Sequence, residues 1–504
     1  MARVERFNFT RDVLDRSTGR ALVFMNTGGE LRGLSFEEVS ARAAQWANLL
    51  RRRGIEQGDR VLVLLGKTPE WSAAMCGCLK TGAIAIPCSE MLRAKDLDFR
   101  VRHSGAKLLV ADPSARGELD RMAAEVEILT LDEARLEDEP DRAEAADTAA
   151  GDSAFILYTS GTTKDPKGVT HTHGYTWAKR WQAESWLASR PGDLVWCTAG
   201  TGWAKSIWNV LLGPWSTGSA IVLHEGGFDP VERFELIERL GVDVLCQAPT
   251  EYRIMAKQQG IERHDLSRVR EAVSAGEPLN PEVIKAFRDA LDLTIRDGYG
   301  QTENTLLVGN LPGTEIRPGS MGLPAPHHDV AVIDEDGRVA QTGEEGDLAL
   351  RGDPPTLFAG YWDQPDETVA VRRGEWYITG DRAQRDEDGY LWFTGRADDV
   401  ILSAAYRIGP FEVESALLEH PAVAESGVVG KPDEDRGQIV KAYVVLRPGF
   451  EAGDALAGEL KEHCKRVTAP YKYPREIAFI DALPKTSSGK VRRVELRARA
   501  QAES

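Results

Sequence analysis

The feature that most constrains this chain is an apolar run, Ala154-Phe155-Ile156-Leu157, that breaks at once into Tyr158-Thr159-Ser160-Gly161-Thr162-Thr163-Lys164-Asp165-Pro166-Lys167-Gly168. The apolar run reads as a buried strand. A strand that empties into hydroxyls, glycines and lysines reads as a phosphate-holding loop. Glycine lets backbone N–H groups approach phosphate oxygens, and the hydroxyls and Lys167 add donors and positive charge. The loop is not a Walker A loop. That motif needs Gly-Lys-Ser/Thr after its spacer, whereas Pro166-Lys167-Gly168 closes this one.

The segments around the loop alternate between strand and helix. Ser35 and Glu38 form a capping box for a helix that Gly54 ends. Strands are predicted at 60–65, 83–87, 107–111, 219–223, 243–246, 269–273 and 293–296, with helices at 70–80, 230–240 and 281–291, the last capped by Asn280. The pattern predicts α/β layers with parallel strands. Several strands deliver polar or glycine-rich segments at their C-terminal ends, where open α/β sheets bind ligands. Past Val330 the grammar changes. Asp336-Gly337 and Asp388-Gly389 are hairpin signals between β-prone runs, which marks a β-rich subdomain at about 330–397. From Asp398 the chain restarts as a small α+β unit. The expected organisation is therefore a large N-terminal domain over 1–397, built of α/β subdomains plus the β-rich one, and a mobile C-terminal domain over 398–504.

Composition excludes some partners. The 504 residues carry a net charge of −17 and no basic stripe, which argues against nucleic acid. Any polyphosphate site must be locally basic. No apolar run is long enough for a transmembrane anchor, and the N-terminal residues do not resemble a signal peptide. The cysteines form no zinc spacing, and free thiols in a cytoplasmic protein are expected. The chain is compatible with a homodimer.

The loop resembles the signature loop of the adenylate-forming enzymes, which include acyl-CoA synthetases, adenylation domains of peptide synthetases and luciferases. Further family motifs follow in the family's order: Asp297-Gly298-Tyr299-Gly300-Gln301-Thr302-Glu303, Thr379-Gly380-Asp381, Gly395-Arg396-Ala397-Asp398-Asp399, Tyr406-Arg407-Ile408-Gly409 and Pro484-Lys485-Thr486-Ser487-Ser488-Gly489-Lys490. Each alone is weak, because Thr-Gly-Asp is more often a turn and Arg-x-Asp-Asp a solvated charge run. Together and in register they span nearly the whole chain. The match is closest to the medium-chain acyl-CoA synthetases, through Gly202-Trp203-Ala204-Lys205-Ser206, Tyr406 to Glu414 and Tyr471-Lys472-Tyr473-Pro474-Arg475.

The resemblance implies a ligase that converts an acid, ATP and CoA into acyl-CoA, AMP and diphosphate through an acyl-adenylate, with Mg²⁺ as cofactor. It implies that Thr159, Ser160, Gly161, Thr162, Thr163, Lys164, Asp165, Pro166 and Lys167 hold the β- and γ-phosphates. Thr302 and Glu303 serve the α-phosphate and the metal. Asp381, helped by Arg396, takes the ribose hydroxyls. Gly276, Glu277 and Pro278, with Asp297, Gly298 and Tyr299 and the adjoining Gly300 and Gln301, flank the adenine. Lys490 reaches the α-phosphate from the C-terminal domain, and Arg407 lies near the phosphates or the acyl site. Trp203, Ala248, Pro249 and Thr250 wall the acyl pocket. Gly300 stands where acetyl-CoA synthetases carry tryptophan, and its missing side chain is expected to admit a longer, branched or aromatic acid. Ala404, Ala405, Tyr406, Arg436, Tyr473, Pro474 and Arg475 form the CoA contacts. Asp398 is the hinge about which the C-terminal domain turns between half-reactions.

Two positions depart from the family. Lys164 replaces a glycine in the loop, and Ala405 replaces the glycine before Tyr-Arg, where the methyl group faces the expected thiol channel. Rival readings are a non-catalytic nucleotide sensor and an enzyme that transfers acyl groups to an amine or a carrier protein. The joint presence of Lys167, Glu303, Asp381, Arg396 and Lys490 opposes the sensor. Because Lys490 sits on the mobile domain, it is expected to act in the first half-reaction only. Lys490→Ala should slow adenylation by ~10²-fold or more, the usual loss for a transition-state charge partner, and spare thioester formation from supplied acyl-adenylate. Equal losses in both half-reactions of a folded variant would refute this role.

Overall fold

The computed structural model describes residues 4–159, 166–396, 399, 401–403, 406–433, 436–468, 472–485 and 491–503. Two sheets dominate it. A nine-stranded sheet is ordered Leu323–Pro324, Leu306–Gly309, Ile295–Gly300, Glu271–Ala275, Val244–Gln247, Leu194–Cys197, Ala220–His224, Arg20–Met25 and Leu31–Ser35. Its middle, from Ile295–Gly300 to Arg20–Met25, is parallel, and both margins are antiparallel. A seven-stranded sheet runs Gly360–Tyr361, Lys167–Thr172, Ser153–Thr159, Ile84–Pro87, Arg60–Leu64, Leu108–Ala111 and Glu127–Thr130. The expected parallel layers are present. The parallel strands are buried almost throughout, as sheets covered by helices on both faces require.

Helix Phe36–Arg52 begins at Ser35 with the expected capping box. It packs on helix Pro69–Thr81 through Trp46, and the contact depends on Gly77. A Cβ at Gly77 would lie 2.4 Å from Trp46 Cβ and 3.2 Å from the Ala43 carbonyl oxygen. Helix Pro281–Leu291 departs from expectation. Asn280 is at its N-cap position, but its side chain makes no capping bond. The amide instead accepts from Arg253 Nη1 at 3.4 Å and donates to Ser415 Oγ at 3.3 Å, which ties this helix to the C-terminal unit.

The β-rich subdomain is an antiparallel five-stranded sheet of Val330–Ile333, Glu345–Arg351, Trp376–Arg385, Arg372–Arg373 and Leu391–Arg396. Asp388-Gly389 lies in the expected hairpin turn between Trp376–Arg385 and Leu391–Arg396. Asp336-Gly337 also turns the chain, with Gly337 at φ +83. The segment after it is not a strand: Val330–Ile333 stands at the margin of the sheet with Glu345–Arg351 on one edge, and on its other edge the return segment makes one bridge, Ile333 to Val339. The C-terminal unit holds a further sheet of Tyr406–Ile408, Ile401–Ser403, Gly437–Leu446, Val423–Asp433 and Glu476–Phe479 under helices Pro410–Leu418, Asp454–Val467 and Arg493–Ala502. The expected hinge, Asp398, lies outside the described residues. All cysteines are free and buried, and no helix among the described residues is long and apolar enough to cross a membrane.

Overpacking should decide the Gly77 contact. Gly77→Ala gains helix propensity of at most ~1 kcal/mol but forces two helices apart, a cost of ~1–3 kcal/mol. The urea midpoint should fall, and an unchanged or raised midpoint would mean the helices yield freely.

Candidate active site

The polar end of the nine-stranded sheet and one strand of the β-rich sheet meet at Asp381. This residue lies on Trp376–Arg385 and is 4% exposed. Its Oδ2 accepts from the Tyr299 hydroxyl and, at 2.8 Å, from Gln301 Nε2. Arg396, its register partner on the neighbouring strand, places Nη1 3.6 Å from Oδ1. Gln301 also donates to the Thr379 carbonyl at 2.7 Å and accepts from the Tyr377 hydroxyl at 3.0 Å. The structure thus brings Tyr299, Gln301, Asp381 and Arg396 together.

Gln301, Thr302 and Glu303 lie on the turn that joins Ile295–Gly300 to its antiparallel neighbour Leu306–Gly309. Asn304 Oδ1 accepts from the Gln301 N–H at 2.9 Å and closes the turn. His171 Nε2 donates to the Thr302 carbonyl at 2.7 Å. Burial, with Lys179 nearby, holds the His171 imidazole at about 3, so the ring is neutral. Glu303 Oε1 accepts from the Tyr361 hydroxyl at 2.9 Å, and its backbone carbonyl accepts from the Phe358 N–H at 2.7 Å. No local signal in the sequence marks the contacts of His171, Tyr361, Tyr377 or Asn304. They are ordinary polar or aromatic residues whose neighbours come from distant segments.

Thr159 and Lys167 are register partners at the ends of the antiparallel strands Ser153–Thr159 and Lys167–Thr172, which flank the glycine-rich segment in sequence. Pro166 is half-buried at its end. Ser160, Gly161, Thr162, Thr163, Lys164 and Asp165 lie outside the described residues. The Lys167 ammonium is 2.6 Å from Glu367 and 4.7 Å from the centre of the Tyr361 ring. It holds the Glu367 carboxyl below the usual carboxylate range.

The segment expected at the adenine is assembled differently at each residue. Gly276 adopts φ +113, a conformation that side chains disfavour. Glu277 is turned onto helix Pro249–Met255, where it accepts from Thr250 Oγ1 at 2.6 Å and Arg253 Nη2 at 2.9 Å. Thr250 therefore spends its hydroxyl on Glu277. Pro278 is half-buried beside it. Asp297 is buried and accepts from the N–H groups of Leu279 at 3.2 Å and Gly298 at 3.0 Å. Burial outweighs those two donors and pushes its carboxyl up to about 7.

Among the acyl-pocket residues, Trp203 is half-buried and stands over Gly200, where a Cβ would lie 3.2 Å from the indole. Ala248 and Pro249 open helix Pro249–Met255 at the end of strand Val244–Gln247. Gly300 corrects the sequence reading. A Cβ there would lie 2.0 Å from the Thr305 carbonyl oxygen and 3.2 Å from Leu306 Cα. The glycine is demanded by the hairpin backbone, and the direction its side chain would take is filled by protein rather than open to a substrate.

On the C-terminal unit, the Tyr473 ring carries Lys465 Nζ at 4.4 Å and the Arg475 guanidinium at 5.1 Å. Pro474 is buried between them, and Arg436 is half-buried with its N–H on Asp433 at 2.9 Å. Ala404, Ala405 and Lys490 lie outside the described residues, and the side chains of Tyr406 and Arg407 are likewise not described. Among the described residues no group of three or more His, Cys, Asp or Glu could hold a metal ion. A magnesium ion carried on nucleotide phosphates needs only one or two carboxylates, and Glu303 fits that demand.

The comparisons agree with this geometry. Residues 9–362 match the family described as AMP-binding enzyme, and residues 412–490 match the AMP-binding enzyme C-terminal domain. The chain belongs to the AMP-binding enzyme family. It is 44% identical over 490 residues to the uncharacterized acyl-CoA ligase YtcI of Bacillus subtilis (strain 168), covering 95% of this chain and 93% of that one. It is 41% identical over 525 residues to the mitochondrial acyl-coenzyme A synthetase ACSM3 of Mus musculus, covering 98% and 90%. The fold superposes on the crystal structure of the anthranilate CoA ligase AuaEII in complex with anthranoyl-AMP with a TM-score of 0.90, 31% identity and coverage of 99% and 98%.

Asp297 makes stability depend on pH. Its folded value lies above the ordinary value of ~3.9, so the folded state binds the extra proton. That stabilisation is complete below about 4 and is lost as pH rises through about 7. Wild type should therefore lose more unfolding free energy between pH 5 and pH 8 than Asp297→Asn, measured by urea titration at each pH. Parallel pH slopes would remove Asp297 as the cause.

Proposed function

We propose that this chain is an ATP-dependent acyl-CoA synthetase acting on medium-chain, branched or aromatic carboxylic acids. The observation that carries the reading is the convergence on one cleft of Asp381 with its Tyr299 and Gln301 donors, Glu303 on a braced turn, and Lys167 at the start of the strand that follows the glycine-rich segment. A carboxylate is a poor acyl donor because its leaving group would be oxide. In the first half-reaction the acid's oxygen attacks the α-phosphorus of ATP, the bond to the β-phosphate oxygen breaks, and diphosphate leaves. In the second, the CoA thiolate attacks the acyl carbon of the mixed anhydride and AMP departs.

The residues divide the work. Asp381 accepts the ribose hydroxyls, with Arg396 beside it. Thr302 donates to the α-phosphate. Lys167 leaves Glu367 for the β- and γ-phosphates. Glu303 would hold Mg²⁺, which neutralises phosphate charge as the leaving group forms. Lys490, delivered by the C-terminal domain, compensates charge at the α-phosphate, and rotation about Asp398 then exchanges it for the CoA surface around Tyr473, Arg475 and Arg436. We also propose that the enzyme works in the cytoplasm.

A panel of acids tests this reading. Diphosphate release should require an acid, favour medium-chain or aromatic acids over acetate, and yield acyl-CoA when CoA is added. The Ala405 methyl should slow only the second step, so Ala405→Gly should raise transfer from preformed acyl-AMP and leave ATP–diphosphate exchange unchanged. Acid-independent diphosphate release would sink the proposal. Acyl-AMP that passes to an amine and never to CoA would favour the acyltransferase reading.

A further inference from the structure

One short segment, residues 358–368, touches both Lys167 and Glu303, and the chemistry above gives its tyrosine no part. Strand Gly360–Tyr361 lies at the margin of the seven-stranded sheet, antiparallel to Lys167–Thr172. Backbone bonds fix it there. The Ala359 N–H donates to the Thr170 carbonyl at 2.8 Å, and the Trp362 N–H to the Gly168 carbonyl at 2.7 Å. The Phe358 N–H donates to the Glu303 carbonyl at 2.7 Å. The Tyr361 N–H donates to Thr368 Oγ1 at 2.8 Å, which closes the segment on itself. The segment therefore joins the strand that begins at Lys167 to the turn that carries Glu303.

Tyr361 is where the two meet. It is 8% exposed, and its ring packs edge-on against Phe358 with centroids 4.9 Å apart. Its hydroxyl donates to Glu303 Oε1 at 2.9 Å, and the Lys167 ammonium lies 4.7 Å from its ring centre. Among the described residues no other donor reaches the Glu303 carboxylate, so Oε1 is engaged and Oε2 takes no protein donor. Lys167 pairs with Glu367 and rests on the ring, and it forms no ion pair with Glu303. The carboxylate thus keeps its charge for a ligand. Holding a long glutamate side chain in one rotamer costs entropy, and the bond to Oε1 settles that orientation in advance. Phenylalanine would fill the same space and leave no hydroxyl to satisfy, so packing alone does not call for tyrosine here.

We infer that Tyr361 is a positioning residue for the metal: through Oε1 its hydroxyl orients Glu303 and leaves Oε2 as the oxygen offered to magnesium on the nucleotide phosphates. The inference rests on the adenylation reading above, in which Glu303 holds the metal. Carboxylates that ligate metals are themselves hydrogen-bonded, and loss of such a partner costs about 10–100-fold in metal affinity or activity. Tyr361 supplies that partner from a segment 58 positions away in the chain.

The test uses the full chain. With ATP and no acid there is no turnover, and the rise in thermal midpoint caused by ATP is followed as Mg²⁺ is titrated. Tyr361→Phe keeps the ring and removes only the hydroxyl. It should need about 10-fold more Mg²⁺ for the same rise, while the ligand-free midpoint and the rise with ATP alone match wild type. Diphosphate release should show the same displaced Mg²⁺ requirement, with KM for the acid unchanged. In a Glu303→Gln chain the same substitution should add nothing, because the carboxylate it acts through is gone. A Mg²⁺ requirement equal to that of wild type, a defect that is the same size without metal, or an undiminished effect in the Glu303→Gln chain would overturn the inference while adenylation stands. Absence of diphosphate release with every acid would overturn the adenylation reading, and the acid-free titration separates the two failures.

Discussion

The Asp381 carboxylate is the interaction on which the cleft depends. A buried carboxylate is costly unless donors meet it, and this one draws its donors from another sheet. It stands on the β-rich sheet, while Tyr299 and Gln301 stand at the end of the nine-stranded sheet. Gln301 doubles the link by donating to the Thr379 carbonyl. Neither sheet can shift against the other here without stripping a buried charge. The turn from Gln301 to Glu303 is therefore held to the same frame as the residue proposed to bind ribose. Groups placed in advance need no reorganisation when charge develops in a transition state.

The two cations of the cleft are held in unequal ways. Arg396 faces a carboxylate that is 5% exposed on its side chain, whereas Lys167 faces Glu367, which is 54% exposed. A solvent-exposed ion pair contributes little, and breaking it costs correspondingly little. Glu367 thus holds Lys167 only weakly. The polyphosphate proposed as the ligand of Lys167 would replace that partner at little cost. The net charge of −17 makes such local placement necessary, because the protein's overall field repels an anionic substrate.

The alternation of strands and helices, the capping box at Ser35 and the segments that meet at Asp381 were legible in the sequence because each is written locally. The rest depends on contacts between distant segments. Glu367 is 200 positions from Lys167, and Tyr361 is 58 from Glu303. Asn280 has the residue type and position of a cap, yet Arg253 and Ser415 compete for its amide and win. The segment after Gly337 has strand composition, but it meets the outer edge of Val330–Ile333 in the single bridge Ile333 to Val339. Glu277 sits in a motif expected at the adenine, and its carboxylate is met by Arg253 and Thr250, 24 and 27 positions earlier in the chain. In each case the local signal was correct about chemistry and silent about which partner would arrive.

Gly298 and Gly300 carry the same lesson into the motif itself. A Cβ at Gly298 would lie 2.6 Å from Leu306 and 2.7 Å from the Trp186 indole, and one at Gly300 would meet the Thr305 backbone. These glycines alternate along one face of a strand, the face on which the chain folds back antiparallel. Trp186, on a π turn and wholly buried, fills the space beside Gly298 and Gly309. The absent side chains of Gly298 and Gly300 let a parallel strand turn back on itself within a few residues, and that reversal lifts Gln301, Thr302 and Glu303 to the sheet's edge. Groups on a hairpin pinned by Asn304 and His171 are held more firmly than groups on a free loop. The glycines of this motif thus serve the backbone first, and any room for substrate must come from the walls around them.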